Sequence, residues 1–168
     1  MTQSLITGPL VIVGGSEDHN EERKILREFV NLSGPDASIV IITVASESQA
    51  EVGSRYVDVF NRLGCDKVRV LTINKRGDAN TRGAVEAIEN ATGVFFTGGN
   101  QLRITRLLGG TKLDTALHRQ HERGLVLAGT SAGAAMMPTL MVTGGRAETA
   151  FRIGIVELGS GMGSSVAC

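Results

Sequence analysis

The sequence predicts an α/β fold in three layers, in which a mostly parallel β-sheet is flanked by helices. Short apolar runs alternate with amphipathic segments, which is the pattern of repeated β-α units. The chain of 168 residues is 42% hydrophobic, enough for the core of one domain. It also has 22 glycines, most of them beside the apolar runs. Glycines so placed indicate tight turns from strand to loop.

Five apolar or β-branched runs predict buried strands at residues 10–13, 39–44, 68–71, 94–96 and 125–128. Apolar residues at helical spacing predict helices at residues 17–32, 46–63, 84–88, 102–108 and 113–123. Two later runs, 140–143 and 153–158, have the pattern of a hairpin or of edge strands. Because no repeat or linker interrupts this order, residues 1–168 are expected to form a single domain.

Composition argues against several classes of function. The 17 basic and 17 acidic residues give no net charge, and Trp is absent, so neither the charge nor the stacking surfaces for nucleic acid are indicated. No apolar run approaches the roughly 18 residues that a membrane span needs. The two cysteines, Cys65 and Cys168, cannot form a disulfide framework and suit a reducing compartment. A cytoplasmic protein that binds neither membrane nor nucleic acid is therefore expected.

The most informative motif is Gly-Thr-Ser-Ala-Gly at residues 129–133, directly after a predicted strand. It matches the G-x-S-x-G turn that exposes a nucleophilic serine between a strand and a helix. Ser131 is then the nucleophile, and the backbone amide of Ala132 faces the developing oxyanion. The alternative is a loop of small residues selected only for close packing.

A second motif, Thr-Gly-Gly-Asn-Gln at residues 97–101, follows another predicted strand. Its glycines allow backbone N–H groups to approach a ligand, so Gly99 is a candidate second oxyanion donor. Asn100 and Gln101 are candidates to hydrogen-bond a bound peptide. Asn100 can equally begin the next helix as its N-cap, and both roles are compatible.

Four predicted strands end in small or flexible residues, near positions 14, 45, 98 and 130. The carboxyl ends of parallel strands meet at one end of a sheet, so these loops are expected to lie together. The first, Gly-Gly-Ser-Glu, lacks the spacing of a dinucleotide-binding loop. Among the histidines, His118 and His121 lie among charged residues and are interpreted as a solvated helix face. His19 is a remote candidate for a base.

These motifs resemble those of the cyanophycinases, serine peptidases in the branch that includes the aspartyl dipeptidases. The likeness rests on residues 13–18, 96–103 and 129–135 and extends to about residue 163. It implies a flavodoxin-like or class I glutamine-amidotransferase-like fold. It also implies exo-cleavage of cyanophycin, a poly-aspartate with arginine side chains, to β-Asp-Arg dipeptides. By resemblance, Ser131 is the nucleophile, Gly99 and Ala132 are the oxyanion amides, and Gln101 contacts substrate, with no cofactor.

The chain departs from the family pattern after residue 163. Family members continue into a stretch that carries the catalytic histidine, whereas this sequence ends with Ser-Ser-Val-Ala-Cys. We therefore expect the C-terminal part of the family domain to be lacking, activity to be weak or absent, and exposed apolar strands to favour a homo-oligomer such as a dimer. Glu148 is a candidate triad acid, or a solvated loop residue. The alternative function is a non-catalytic ligand-binding or regulatory module.

Overall fold

The computed structural model describes residues 7–15, 24–144 and 157–163. Its strands are β1 (Leu10–Val13), β2 (Ser38–Ile42), β3 (Lys67–Leu71), β4 (Gly93–Phe96), β5 (Val126–Thr130), β6 (Leu140–Gly144) and β7 (Glu157–Ser160). Its helices are α1 (Lys24–Leu32), α2 (Gln49–Arg62), α3 (Arg82–Glu89), α4 (Gln101–Leu108), α5 (Lys112–His121) and α6 (Ala132–Ala135), with a 3₁₀ turn at Asp78–Asn80. None of the helices in the described ranges has the length and apolar character that crossing a bilayer demands.

The first five strands form one parallel sheet in the order β1-β5-β4-β2-β3. After β1 the chain moves outward through β2 to the edge strand β3. It then reverses direction, so that β4 and β5 fill the places between β2 and β1. Because crossovers between parallel strands are right-handed, this reversal moves the later helices to the opposite face. Accordingly α1 and α2 pack on one face through Phe29 and Phe60, and α3, α4 and α5 pack on the other through Ile88, Ile104 and Leu117. The predicted three-layer α/β fold is confirmed.

The central strands β4 and β5 are buried at every position. Since successive side chains of a strand point to opposite faces, Phe95 and Phe96 enter different cores. The ring of Phe95 lies 5.9 Å from that of Phe29, 4.8 Å from that of Tyr56 and 5.5 Å from that of Phe60, measured between centroids. Burial on both faces explains why these strands are continuous apolar runs in the sequence.

Strand boundaries differ from the predicted ones where a neighbouring strand sets the end. Strand β2 ends at Ile42 rather than at residue 44, because Ile42 pairs with Leu71 and Phe96, the last residues of its two neighbours. Strand β5 continues to Thr130 because Val13 of β1 pairs with it. Helix α5 ends at His121, two residues earlier than predicted. Residues 17–23 of the first predicted helix lie outside the described residues.

Strands β6 and β7 form a separate antiparallel pair, in which Val142 pairs with Leu158. The expected hairpin is thus confirmed, although its second strand begins at Glu157, and residues 153–156 lie outside the described part. Leu140, Val142 and Leu158 are 65%, 53% and 64% exposed. The pair therefore presents apolar side chains to solvent.

We expect Phe95→Ala to lower the free energy of unfolding by about 3–5 kcal/mol, because it leaves a cavity within a ring cluster. Ile12→Ala is the control: Ile12 is 61% exposed, so the loss should stay below about 1 kcal/mol. Urea unfolding followed by circular dichroism measures both values. Equal losses for the two variants would contradict the assignment of Phe95 to the core.

Candidate active site

The carboxyl ends of β1, β2, β4 and β5 meet at one place, as the sequence predicts. The backbone N–H of Ser131, after β5, donates to the carbonyl of Val13 at the end of β1, at 2.9 Å. The N–H of Asn100, after β4, donates to the carbonyl of Ala45, beyond the end of β2, also at 2.9 Å. These backbone hydrogen bonds hold the four strand ends together as one surface.

Ser131 occupies a strained turn between β5 and α6. Its φ of 51° and ψ of −113° make it the one non-glycine residue with positive φ among those the structure describes. Its carbonyl accepts hydrogen bonds from the N–H groups of Ala134 and Ala135, at 3.0 and 2.8 Å, while its side chain is exposed. Strain of this kind costs about 1–3 kcal/mol and persists only where the surrounding structure enforces it.

The glycines that flank Ser131 are required by close packing of the turn. A Cβ on Gly129 would lie 2.4 Å from the carbonyl carbon of Gly133. A Cβ on Gly133 would lie 2.3 Å from the carbonyl oxygen of Phe96 in β4. Both contacts are shorter than carbon side chains tolerate. The turn can therefore approach β4 only with glycine at both positions, which is the physical content of the G-x-S-x-G pattern.

The Gly98–Gly99 loop lies beside Ser131. A Cβ on Gly98 would lie 4.0 Å from Oγ of Ser131, so the loop backbone borders the hydroxyl. Gly99 has a φ of 140°, and a Cβ there would lie 2.2 Å from the carbonyl oxygen of Ala45. Sequence reasoning named Gly99 but missed Gly98, although the adjacent glycine was visible in the motif.

Three backbone amides at this surface have no acceptor within the described residues. They belong to Gly98, Gly99 and Ala132. Backbone amides beside a nucleophile, fixed before substrate arrives, are the donors that an oxyanion hole requires. The arrangement is therefore compatible with the predicted roles of Gly99 and Ala132, and it adds Gly98 as a third candidate donor.

Asn100 and Gln101 both make hydrogen bonds to the protein. Oδ1 of Asn100 accepts from the N–H of Leu102 at 2.9 Å and thereby caps α4, as one interpretation of the sequence expected. Nε2 of Gln101 donates to the carbonyl of Val142 in β6 at 3.0 Å. Contact of either side chain with substrate stays a prediction. Glu148, the candidate acid, and His19 lie outside the described residues.

The prediction that His121 belongs to a solvated face is wrong. His121 is 4% exposed, its Nδ1 lies 2.9 Å from the carbonyl oxygen of Leu125, and its Nε2 has no hydrogen-bond partner within the described residues. Helix α5 runs from the carboxyl end of the sheet to its amino end, so its last residue packs against the start of β5. At about 3.3 Å per residue, that start is roughly 20 Å from Ser131.

His118 is partly exposed, and its Nε2 lies 3.2 Å from Oδ1 of Asp114 on the same helix. It borders a small cavity with Leu117, Met136 and Met162 on one face of the sheet. His121 thus lies at the opposite end of the sheet from Ser131, and His118 lines a cavity that Ser131 does not border. No cluster of three or more potential metal ligands occurs in the described parts of the chain.

Cys65 is not placed to act as a nucleophile. It precedes β3, at the amino end of the sheet, and its thiol donates to the carbonyl of Ala37 at 3.3 Å. Burial raises the pKa of the Cys65 thiol, which disfavours the reactive thiolate. Ser131 is accordingly the candidate nucleophile that the geometry of the strand ends favours.

Known proteins share these features. The sequence model of Peptidase family S51 matches residues 10–151. The cyanophycinase of Nostoc sp. (strain PCC 7120 / SAG 25.82 / UTEX 2576) is 38% identical over 157 residues, which cover 92% of this chain and 52% of the relative. The cyanophycinase of Geminocystis herdmanii (strain PCC 6308) is 35% identical over 156 residues, covering 92% and 57%. The chain thus spans about half the length of the curated relatives it matches.

The crystal structure of a peptidase from an acI-B1 Actinobacterium has a similar fold. The TM-score is 0.77 at 24% sequence identity, and the match covers 96% of this chain and 66% of that one. It supports the architecture alone. The resemblance inferred from the three sequence motifs is confirmed by the family match and by the curated relatives.

We expect Ser131→Gly to be more stable than Ser131→Ala by about 1 kcal/mol, because only glycine adopts this backbone conformation without strain. Thermal unfolding of the two variants, which both lack the hydroxyl, isolates the backbone effect. An alanine variant as stable as the glycine variant would show that the turn is relaxed.

Proposed function

This chain belongs to peptidase family S51, and from that premise we propose that it has the scaffold of a cyanophycinase-like serine exopeptidase. The proposed substrate is cyanophycin, and the proposed products are β-Asp-Arg dipeptides. The observation that carries the proposal is the strained, exposed Ser131 beside the Gly98–Gly99 loop, whose amides have no acceptor within the described residues. The names of its relatives support the choice of substrate: they are cyanophycinases at 35–38% identity.

In the proposed reaction, Oγ of Ser131 attacks the carbonyl carbon of a backbone peptide bond. The carbonyl oxygen takes the negative charge and accepts hydrogen bonds from the amides of Gly99 and Ala132. The amine leaves with a proton, and water hydrolyses the acyl-enzyme. A single oxyanion donor of this kind is worth about 10²–10³ in kcat. Gln101 and Asn100 would contact the substrate, and Glu148 would orient the base.

The proton of the Ser131 hydroxyl needs a base, because a neutral serine is a poor nucleophile. Neither described histidine hydrogen-bonds Ser131, so we expect the chain itself to hydrolyse peptides slowly. Sites that lose a triad member retain about 10³–10⁴-fold catalysis over water through the oxyanion hole and binding. Residual activity of that order is the expected level.

A second candidate function is a ligand-binding or regulatory module on the same scaffold. The contacts of the two described histidines favour it, because His121 contacts Leu125 and His118 contacts Asp114, and neither hydrogen-bonds Ser131. This module would bind β-Asp-Arg without turning it over. Titration calorimetry with β-Asp-Arg, combined with a hydrolysis assay on cyanophycin, separates the two: binding without any product supports the module, and product formation rejects it.

We expect a serine-directed phosphonate to modify wild-type protein at Ser131, because strain and exposure present this hydroxyl to reagents. Intact-mass and peptide mass spectrometry measure the adduct. Ser131→Ala should lose it, and Ser46→Ala, which removes a serine at the same end of the sheet, should keep it. Adducts formed elsewhere, or unaltered in Ser131→Ala, would reject Ser131 as the nucleophile.

We also propose a cytoplasmic homo-oligomer. A free, buried Cys65 suits a reducing compartment, and apolar side chains of β1, β6 and β7 are exposed, among them Ile12, Leu140 and Leu158. Light scattering should therefore give a mass of at least twice 17.7 kDa. Leu140→Ser combined with Leu158→Ser should reduce that mass. A monodisperse monomer of the wild-type chain would contradict the proposal.

A further inference from the structure

Basic side chains accumulate at the carboxyl end of the sheet, outside the candidate active site. We call the group the cationic patch, and its members are Lys75, Arg76, Arg103, Arg106 and Lys112. They come from the loop after β3, from α4 and from the start of α5. All except Arg103 are exposed, and Arg103 is half-buried. The chain as a whole has no net charge, so this accumulation is a local asymmetry.

Hydrogen bonds to backbone atoms hold the segments of the cationic patch together. Nη1 of Arg76 donates to the carbonyl of Arg106 at 3.1 Å. Oδ1 of Asn80 accepts from the N–H of Lys112 at 2.9 Å, and Nδ2 of Asn80 donates to the carbonyl of Arg76 at 3.2 Å. Nε of Arg103 donates to the carbonyl of Val44 at 3.1 Å. These hydrogen bonds hold the segments that carry the five cations next to one another.

None of the five cations pairs with a carboxylate within 4.0 Å in the parts of the chain that the structure describes. Two acids lie among them. Asp78 accepts hydrogen bonds from the N–H groups of Lys75 and Asn74, which lower the pKa of its carboxyl. Asp114 accepts from the N–H of Gly110 and lies beside His118. Both carboxylates stay negative, so the five cations of the patch exceed these two acids by three positive charges.

The helix dipole favours Arg106, which lies in the last turn of α4, but it does not explain the placement of Arg103 and Lys112. Lys112 is the first residue of α5, and Arg103 lies in the first turn of α4. Cations at helix N-termini are opposed by the helix dipole. Clustered like charges also repel one another, and a bound anion would relieve that repulsion.

We infer that the cationic patch binds the carboxylates of an acidic peptide and forms an accessory site beside the candidate active site. The inference rests on the proposed function, which makes a peptide the ligand. Arg103 donates a hydrogen bond to the carbonyl of Val44, and the next residue, Ala45, packs against Gly99. The patch therefore adjoins the Gly98–Gly99 loop. The planar guanidinium groups suit carboxylates, to which arginine donates paired hydrogen bonds.

A nucleic acid is the less suitable polyanion. Single strands bind through aromatic stacking as well as charge. Tyr56 is buried, and so are the described phenylalanines, Phe29, Phe60, Phe95 and Phe96. The described surface thus supplies cations without exposed rings, which fits carboxylates better than bases.

The test measures binding of fluorescein-labelled deca-aspartate by fluorescence anisotropy at low and at physiological salt. Arg76→Gln combined with Arg106→Gln should weaken binding about fivefold or more, and added salt should weaken wild-type binding. Arg62→Gln combined with Lys67→Gln removes the same charge at the amino end of the sheet and should bind as wild type. Lys75→Gln combined with Lys112→Gln is a second patch variant, which should also weaken binding. It keeps the scaffold, because the hydrogen bonds of both residues described above use backbone atoms.

Ser131→Ala should bind deca-aspartate as wild type does. The binding test of the patch is therefore independent of the phosphonate labelling of Ser131, and either can fail without the other. Equal losses in the patch variants and the amino-end control would overturn the inference. So would binding of labelled deca-asparagine as tight as that of deca-aspartate. Tighter binding of a labelled 20-nucleotide DNA would reassign the patch to nucleic acid and reject the acidic peptide.

Discussion

Close approach of the β5-α6 turn to β4 is the constraint on which the site depends. Gly133 packs against the carbonyl of Phe96, and Gly129 packs against Gly133, with no room for a side chain at either position. This packing forces Ser131 into positive φ and turns its hydroxyl outward. The same contact brings the Gly98–Gly99 loop alongside, since that loop follows Phe96 directly. Core packing therefore creates the strain, the exposure of the hydroxyl and the neighbouring amides together.

The loops around this turn are fixed by buried polar contacts. Gln49, 7% exposed, accepts from the hydroxyl of Thr43 and donates to the carbonyl of Ile73, joining the segments that follow β2 and β3. Buried amides are stable only when their hydrogen-bonding groups are satisfied, so this side chain rigidifies both segments. The segment after β2 contacts the Gly98–Gly99 loop, and the segment after β3 leads into the cationic patch. The hydrogen bonds of Gln49 thus connect the candidate active site with the cationic patch.

Charge is distributed unevenly although the totals cancel. The ion pairs that the structure describes, such as Arg82–Glu86, involve none of the residues of the cationic patch. Four of these patch residues are exposed, and the fifth, Arg103, is half-buried in the helix that follows the Gly98–Gly99 loop. A positive surface at this end of the sheet raises the local concentration of anionic ligands.

The sequence by itself determined the fold class, the five parallel strands and the strand-turn-helix position of Ser131, because each rests on local periodicity and on glycine spacing. It also predicted the N-cap role of Asn100, because the amide that Asn100 caps lies two residues away. Only the tertiary structure decided the burial of His121, the proximity of Gly98 to Ser131 and the assembly of Arg76, Arg106 and Lys112. The physical reason is sequence separation: these contacts join segments from different strands and helices, and their positions follow from the sheet order, which no local pattern encodes.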